Sequence, residues 1–333
     1  MTLTQLRYLV AIADAGLNIT QAAERVHATQ PGISKQLKQL EDELGFLLFQ
    51  RKGRSLESIT PAGRDVLTHA RRVLAETGSI RAYAANERGQ TQGKLSLVTT
   101  HTQARFVLPP AIASLARRYP GVSIELRPAA EGEVLAQLGR GDADFAVVST
   151  AGEPPPGGLA LPLYRWRRVL LVPAGHALVA PPTLAGLAAM PLLSYESSNR
   201  PESSLRRAFD RAGLVPQVAL TARDADLIKT YVRSGLGVGL LAEMAVSAAE
   251  DADLRTLPAP PEIPECTCWA VLPRERVLRD YALDLLQSIA PQLDPRDVKR
   301  AVAGHDDPAW PEPPAWQRLP AAGTQDQTVA GSS

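Results

Sequence analysis

The chain has 333 residues, of which 45% are hydrophobic and 21% are charged, and its formal net charge at pH 7 is +1. A chain of this length and composition is typical of a globular protein with two or three domains. The near-zero charge excludes a uniformly basic nucleic-acid-binding protein, so any basic surface has to be local.

The chain shows no signal for export or for a membrane anchor. Its first residues, MTLTQLRYLV, lack the basic segment, apolar core and cleavage site of a signal peptide. No run approaches the roughly 20 apolar residues that a transmembrane helix needs. Cys266 and Cys268 are separated by one residue of a predicted strand and no other cysteine lies near them, which argues against a disulfide framework and against a metal site. We therefore expect a cytoplasmic protein with reduced thiols and no membrane partner.

The first sixty residues predict three short helices. The first ends at Gly16, and its apolar face consists of Leu6, Leu9, Val10 and Ala13. Asn18 can cap a second helix, ITQAAERV. Thr29 can cap a third, which Gly45 ends and whose apolar stripe consists of Ile33, Leu37, Leu40 and Leu44.

A hairpin and a long helix follow. The sequence FLLFQRKGRSLESI predicts a strand, a basic tip at 51–54 and a return strand, which together form a β-wing. From Pro61 to about Arg88 one long helix is predicted. Because it lacks an apolar core of its own, we interpret it as a dimerising linker. This gives a DNA-binding domain over 1–60 and a linker helix over 61–90.

From Lys94 onward strands and helices alternate, which predicts largely parallel sheets with helices on their faces. Strands are predicted at 94–100, 123–129, 143–149, 168–173, 191–195, 217–222, 237–242 and 268–273, and helices at 112–119, 133–140, 203–213, 225–235 and 279–289. Two long connections, at 152–167 and 261–269, suggest that the chain passes between two lobes and returns.

These boundaries define an effector-binding domain over 91–295. Its first lobe would comprise about 91–163 and 268–295, and its second lobe about 164–267. The remaining residues, 296–333, are rich in Pro, Ala and Gly and predict a mostly disordered tail.

Two helices joined by a short turn and followed by a wing form a winged helix-turn-helix, whose second helix enters the DNA major groove. The residues expected to contact DNA are Thr29, Gln30, Pro31, Ser34, Lys35 and Lys38 on the third helix, and Arg51 and Arg54 on the wing. Gln30 and Ser34 suit base edges, whereas the lysines suit phosphates. The alternative is a solvated helix and a charged hairpin that touch nothing.

The motif AAERVHATQPGISKQLKQLEDELGFLLFQRKGR, with TPAG after it, resembles the N-terminal signature of LysR-type transcriptional regulators. TTHTQARFVLP, DADFAVVST and DADLIKTYVRSGLGVGLLAEMAV continue the resemblance, which is strongest to the CysB branch of that family and ends near residue 292. The resemblance implies a C-terminal α/β domain of the periplasmic-binding-protein type, with an effector between two lobes. It also implies regulation of sulfur assimilation and cysteine biosynthesis, promoter DNA and RNA polymerase as partners, and a homodimer or homotetramer.

The segment VTTHTQAR, residues 98–105, lies where a predicted strand ends and a helix begins. Ligands of open α/β sheets bind at that end of the strands, and free N–H groups at a helix start favour anions. Thr100, Thr102 and Gln103 add hydrogen-bond donors without charge, which suits a small oxyanion or carboxylate. The alternative is that these threonines only cap a helix.

The resemblance supplies candidates for the rest of the effector site: Ser149, Tyr164, Trp166, Arg200 and Arg223. The two arginines stand where the CysB branch has threonines, so we expect a more electropositive cleft that favours sulfate, thiosulfate or an organosulfonate over an acetylated serine. The alternative is that both arginines face solvent.

Three classes of function are therefore compared. An effector-responsive transcription factor accounts for both the helix-turn-helix and the two lobes, and regulation of organosulfonate metabolism is a variant of it. A cytosolic solute-binding protein accounts for the lobes alone. An enzyme would need a nucleophile pair, a metal cluster or a cofactor motif, and the sequence contains none, so we expect no enzyme and no cofactor.

Overall fold

The computed structural model describes residues 1–53 and 55–317; Arg54 and residues 318–333 lie outside the described part. The chain divides into two compact units. The first comprises Met1–Gly89 with Arg276–Leu278, and the second comprises Gln90–Glu275 together with the chain from Arg279 onward.

The first unit is a winged helix-turn-helix followed by a long helix. Its elements in chain order are α1 (Leu3–Asp14), α2 (Ile19–Arg25), α3 (Gln30–Leu44), β1 (Phe49–Lys52), β2 (Ser55–Ile59) and α4 (Pro61–Glu87). Local chemistry explains the helix starts: Thr29 accepts a hydrogen bond from the amide of Gly32, and Asn18 accepts one from Gln21. Gly45 ends α3 in the left-handed region at φ 79°. The predicted order of helices and wing is confirmed.

The core of this unit joins the helices to the wing and to the start of α4. Leu9, Ile33, Leu40 and Phe49 are fully buried, and Leu67 of α4 belongs to the same cluster. The first half of α4 is therefore part of the helix-turn-helix core. The second half differs, since it exposes a series of large apolar side chains: Val73, Ile80 and Tyr83.

The second unit contains ten strands and eight α-helices among its described residues. In chain order they are β3 (Gly93–Thr99), α5 (His101–Phe106), α6 (Leu108–Arg118), β4 (Val122–Pro128), α7 (Glu131–Arg140), β5 (Phe145–Thr150), β6 (Leu159–Trp166), β7 (Arg168–Pro173), α8 (Leu184–Ala188), β8 (Leu192–Tyr195), α9 (Ser204–Arg211), β9 (Val218–Ala222), α10 (Ala225–Arg233), β10 (Val238–Ala242), β11 (Leu254–Pro258), β12 (Cys266–Leu272), α11 (Asp280–Ile289) and α12 (Pro295–Val302).

These strands form two five-stranded sheets, one in each lobe, so the predicted two-lobed α/β architecture is confirmed. Lobe I has the order β4-β3-β5-β12-β6, and lobe II has the order β11-β7-β10-β8-β9. The prediction of largely parallel sheets is wrong in detail. In lobe I the pairs of β3 are parallel and those of β12 are antiparallel, because β12 returns from the other lobe.

Strand β6 was missed by the sequence patterns, which placed its residues in a connection. It ends at Trp166 and β7 begins at Arg168, so residues 164–166 belong to lobe I and not to lobe II. Cys266 likewise begins β12 in lobe I, two residues before the predicted boundary. Pro162 obscured the strand; it is tolerated because β6 ends the sheet and its pairing register shifts opposite Trp269.

The prediction of a disordered tail from residue 296 is wrong up to residue 317. Helix α12 buries Val298, Ala301 and Val302. After it, Ala315 forms a parallel bridge with Arg165 of β6. Composition misled here, because prolines disfavour helices and central strands but suit an extended segment that docks on a sheet edge. The last part of the predicted tail lies outside the described residues.

Candidate functional site

The first turn of α3 presents the polar residues of the predicted DNA-contact surface. Thr29, Gln30, Pro31, Lys35 and Lys38 are exposed, and Ser34 is half-buried. Gln30 Nε2 donates to Ser34 Oγ at 3.2 Å, so these two side chains lie side by side at the helix start. The opposite face of α3 is buried through Ile33, Leu37 and Leu40. The helix therefore holds this polar surface toward solvent.

Arg51 on the wing is engaged within the unit. Its Nη2 lies 2.8 Å from Oε2 of Glu41, whose side chain is only 3% exposed. The other oxygen of Glu41 accepts the amides of Leu48 and Phe49 at 2.8 and 3.3 Å. Glu41 thus ties α3 to the start of the wing, and Arg51 neutralises its charge. Arg54, the second predicted wing contact, lies outside the described residues.

In the second unit the segment of threonines follows β3 and begins α5, as its position in the sequence predicts. Thr100 and Thr102 are half-buried and Gln103 is buried. The Thr100 side chain makes no capping hydrogen bond to α5. Capping therefore does not explain this hydroxyl.

Gln103 is the centre of a hydrogen-bonded network that joins three elements of lobe I. Its Nε2 donates to Ser149 Oγ on β5 at 3.4 Å, and its Oε1 accepts the hydroxyl of Tyr164 on β6. Trp166 Nε1 also donates to Ser149 Oγ, at 3.0 Å. The structure thus brings together four of the predicted effector residues from three separate parts of the chain.

The thiol of Cys268 lies under this network. Burial raises its pKa to about 12, while the hydroxyls of Tyr164 and Ser149 act in the opposite direction. Burial also raises the pKa of Tyr164 well above its usual value, and Gln103 opposes that shift. At neutral pH these groups are therefore neutral, and the site offers dipoles and hydrogen bonds in place of charges.

Lobe II contributes Tyr195 and Arg168, neither of which was singled out from the sequence. The hydroxyl of Tyr195 is buried and lies close to the backbone of Ala242. Burial raises the pKa of this phenol, and the side chain of Thr102 in lobe I acts against that shift, so the two lobes meet at these residues. The sequence feature that could have identified them is their position, since Tyr195 ends a strand and Arg168 follows the first crossing between the lobes.

Arg168 stands beside the network and makes no ion pair with any described residue. Its guanidinium lies 5.5 Å from the ring centre of Trp166. Its Nη2 donates to Ser204 Oγ at 3.1 Å, and its Nη1 lies 3.4 Å from Cys266 Sγ. Ser204 begins α9, so this helix of lobe II starts next to a cation.

The two arginines predicted in lobe II have different environments. A side chain added at Gly132, in the first turn of α7, would place its Cβ 2.9 Å from Nη1 of Arg200. Arg200 therefore reaches across from lobe II to lobe I. Arg223 pairs with Glu196 at 3.2 Å and its side chain is 70% exposed. Its charge is thus partly neutralised at the surface.

Helix α5 also contacts lobe II through its other end. Arg105 Nε lies 2.6 Å from Oδ2 of Asp226 at the start of α10. One residue further on, the ring of Phe106 lies 5.3 Å from Nζ of Lys229. One short helix therefore carries the polar cluster at its first turn and the lobe-to-lobe contacts at its last.

Two family models match the chain. The model for the bacterial regulatory helix-turn-helix protein of the lysR family matches residues 3–64. The model for the LysR substrate binding domain matches residues 88–294. No helix among residues 1–53 and 55–317 is both long enough and apolar enough to cross a membrane.

Similar proteins match over most of their length. The chain is 37% identical to the HTH-type transcriptional regulator CysB of Haemophilus influenzae over 303 residues, which cover 90% of this chain and 94% of that protein. It is 35% identical to the HTH-type transcriptional regulator SsuR of Burkholderia cenocepacia, covering 90% and 97%. The crystal structure of the cofactor-binding domain of the Cbl transcriptional regulator is 34% identical, with a TM-score of 0.59, covering 65% of this chain and 96% of that one.

Proposed function

The chain belongs to the LysR family of transcriptional regulators, and from this premise we propose that it regulates genes of sulfur assimilation and cysteine biosynthesis in response to a small anionic effector. The observation that carries the proposal is the network of neutral hydrogen-bonding groups around Gln103 in lobe I, next to the point where Thr102 meets Tyr195 of lobe II. The similarity of the chain to CysB and SsuR supports the assignment to sulfur metabolism. Regulation of organosulfonate or other anion metabolism is the second candidate within the same class.

DNA contact is assigned to the exposed first turn of α3. Gln30 and Ser34 would face base edges, while Thr29, Lys35 and Lys38 would bind phosphates. Arg51 can add a phosphate contact only with the part of its guanidinium that Glu41 does not engage. The exposed position of Pro31 fits close approach of the helix start to DNA, and Arg54 remains a proposed wing contact.

The test is promoter binding by the full-length chain in which Lys35 and Lys38 are changed to Ala. These changes should weaken binding to all duplexes. They should also lower the salt dependence of binding, because a variant that makes fewer phosphate contacts releases fewer counterions from the DNA. Lys299→Ala is the matched control, since Lys299 pairs with Asp280 in the second unit. Unchanged promoter binding by the double variant would exclude this surface. Retained effector affinity in the same variant would separate a regulator from a solute-binding protein.

The effector site is assigned to Thr100, Thr102, Gln103, Ser149, Tyr164 and Trp166. Ser149 accepts hydrogen bonds from both Gln103 and Trp166, so its own hydroxyl hydrogen can be donated to a ligand oxygen. The hydroxyl of Thr100 makes no capping bond to α5, and the hydroxyl of Tyr195 lies beside Thr102 from the lobe II side. Donors without a fixed charge suit an oxyanion such as sulfate, thiosulfate, a sulfonate or the carboxylate of an acetylated serine.

Arg200 and Arg168 bias this choice toward anions without an amino group. Both guanidinium groups lie beside residues of lobe I, without an ion-pair partner among the described residues, whereas Arg223 is paired with Glu196. Calorimetric titration of the full chain with sulfate, thiosulfate, ethanesulfonate and acetylated serines ranks the ligands. Tighter binding of the O-acetylated serine, which keeps its ammonium group, than of any sulfur oxyanion would overturn the bias.

Effector binding would act through lobe closure. Helix α5 contacts both the site and α10, so a ligand that bridges Thr102 and Tyr195 stabilises the arrangement in which Arg105 reaches Asp226. Such a ligand shifts a population of conformations in proportion to its difference in affinity for them. Exposed apolar residues on α4 favour pairing of linker helices into a dimer and tetramer. RNA polymerase is the expected partner at promoters, and the cytoplasm the expected compartment, because the DNA is there.

A further inference from the structure

The C-terminal segment 307–316, which we call the strap, lies along the outer edge of lobe I. Strand β6 ends the sheet, so its outer N–H and C=O groups need partners. The amide of Arg165 donates to the carbonyl of Pro314 at 2.8 Å, and the amide of Trp316 donates to the carbonyl of Arg165 at 2.7 Å. The strap thus adds a short sixth strand at one residue of β6.

Side chains hold the strap in place at two further points. Arg165 Nε donates to the carbonyl of Pro313 at 3.0 Å, and its Nη1 lies 3.0 Å from Glu312 Oε1. At the start of the strap, both Nη atoms of Arg274 contact the two carboxylate oxygens of Asp307, at 2.8 and 2.5 Å. Several hydrogen bonds and ion pairs therefore fix the position of the strap on lobe I.

The proline content of the strap favours its docking on the sheet edge. Prolines at 311, 313 and 314 prefer an extended backbone, so less conformational entropy is lost when the strap docks. They also lack N–H groups, so the free side of the strap offers few donors to a further strand. The strap closes the sheet edge without creating a new one.

The residue that the strap holds lies between two residues of the effector site. Side chains alternate along a strand, so Tyr164 and Trp166 share one face while Arg165 points to the other. Tyr164 donates to Gln103, and Trp166 donates to Ser149. The backbone bonds of Arg165 therefore hold this end of β6 from its outer side, while the pairing of Tyr164 and Trp166 with Cys268 and Cys266 of β12 holds it from the inner side. The strap also lies beyond residue 294, where the match to the substrate-binding family model ends.

We propose that the strap is a positioning element of the effector site, which keeps β6 in the place where Tyr164 and Trp166 complete the network around Gln103. The expected effect of the strap on effector affinity rests on the proposed function, whereas its expected effect on the position of Trp166 does not. A hydrogen bond is sensitive to displacements well below 1 Å, so loosening one bond at Arg165 should disturb the Trp166–Ser149 contact.

The test compares Trp316→Pro with Trp316→Ala in the full-length chain. Both remove the indole, but only proline removes the N–H that bonds Arg165. The first readout is the indole N–H signal of Trp166 in a tryptophan-labelled NMR spectrum, assigned with Trp166→Phe. The second is the calorimetric affinity for sulfate. We expect Trp316→Pro to shift the Trp166 signal and to weaken sulfate binding about fivefold, the factor that corresponds to about 1 kcal/mol, and Trp316→Ala to do neither.

An unchanged Trp166 signal in Trp316→Pro, or equal effects of the two substitutions, would overturn the proposal. If sulfate binds none of the proteins, the effector assignment fails, while the Trp166 signal still decides the role of the strap. Should Trp316→Pro fold poorly, a chain ending at Asp306 is compared with one ending at Gln317, which retains the strap. The Trp166 signal is then expected to shift in the shorter chain alone, and a shift in neither would be equally decisive against the strap.

Discussion

Lys229 Nζ lies 2.7 Å from Oδ2 of Asp251 inside lobe II, and each side chain is only 3% exposed. Asp251 also accepts from Arg233 at 3.0 Å and from the amide of Ser247 at 3.0 Å, whereas Lys229 has the ring of Phe106 as its other neighbour. The pair therefore stands under the contact between α5 and α10. Asp251 keeps other hydrogen-bonding partners when Lys229 is removed, whereas Lys229 loses its counter-charge when Asp251 is removed.

We predict that Asp251→Asn destabilises the protein by about 3–5 kcal/mol, because it leaves a buried ammonium group uncompensated. Lys229→Met should cost less, since Asp251 retains Arg233 and Ser247. Asp253→Asn is the matched control; that residue pairs with Arg233 at the surface and should cost less than about 1 kcal/mol. Urea denaturation at pH 7 measures all three, and equal losses for Lys229→Met and Asp251→Asn would contradict the asymmetry.

The same pair predicts a dependence on pH. Burial alone would raise the pKa of Asp251, but hydrogen bonds from Lys229 and Ser247 and the charge of Lys229 bring it below its ordinary value. A carboxyl with a depressed folded-state pKa contributes stability above its unfolded pKa of about 3.9 and loses it at lower pH. The difference in stability between wild type and Asp251→Asn should therefore be full at pH 6 and shrink below about pH 4. A difference that shrinks as the pH rises would refute this.

In the first unit, Glu41→Gln should destabilise the protein by about 1–3 kcal/mol, because the buried position loses its charge-assisted bond to Arg51. Arg51→Met should act similarly, and the double variant should lose less than the sum. This coupling identifies Arg51 as a structural partner as well as a candidate DNA contact. Lys52→Met is the control and should leave stability unchanged, because the Lys52 side chain is 83% exposed and only approaches Glu57 at 4.0 Å.

Gln30→Ala should relax sequence specificity without changing the salt dependence of DNA binding. We expect it to lose about 1–3 kcal/mol of discrimination at one base pair, since an amide reads a base edge and releases no counterions. Fluorescence anisotropy on the natural site and on single-base variants, at several salt concentrations, measures both quantities. An equal loss on every duplex, accompanied by a shallower salt slope, would assign Gln30 to a phosphate.

Ser149→Ala should weaken sulfate binding about tenfold, because it removes the hydroxyl that Gln103 and Trp166 orient. Ser149→Thr keeps that hydroxyl and should bind within about twofold of wild type. Thr150→Ala is the neighbouring control, since its hydroxyl donates to the carbonyl of Glu153 at 2.8 Å. Calorimetry on the three variants decides, and comparable affinities for Ala and Thr at position 149 would remove Ser149 from the site.

Cys266 and Cys268 should resist alkylation in the folded protein. Burial raises the pKa of both thiols, that of Cys268 to about 12, and the thiolate is the reactive form. Iodoacetamide at pH 8 should label neither residue within the time that labels both in urea, as read by mass spectrometry. Rapid labelling of Cys268 in the native protein would show that the floor of the network is open to solvent.

A feature of the fold or of the site could be predicted from the sequence when residues close to each other in the chain determine it. The helix-turn-helix was predictable element by element, because caps such as Thr29 and stops such as Gly45 act within one helical turn. The position of Thr100, Thr102 and Gln103 at the end of a strand was predictable for the same reason. Tyr195 and Arg168 were missed, since nothing local distinguishes a strand residue that faces a cleft from one that faces a helix.

The sequence by itself determined the order of helices and wing in the first unit, the two-lobed α/β class and the family, because periodicity, capping and motif spacing are properties of short stretches of chain. Only the tertiary structure decided that Glu41 engages Arg51, that Arg200 rather than Arg223 reaches the opposite lobe, and that Pro314 and Trp316 bind Arg165. Each of these relationships joins side chains or edges that lie far apart in the sequence and that only the folded backbone brings together. Neither hydrophobic pattern nor composition encodes such distances.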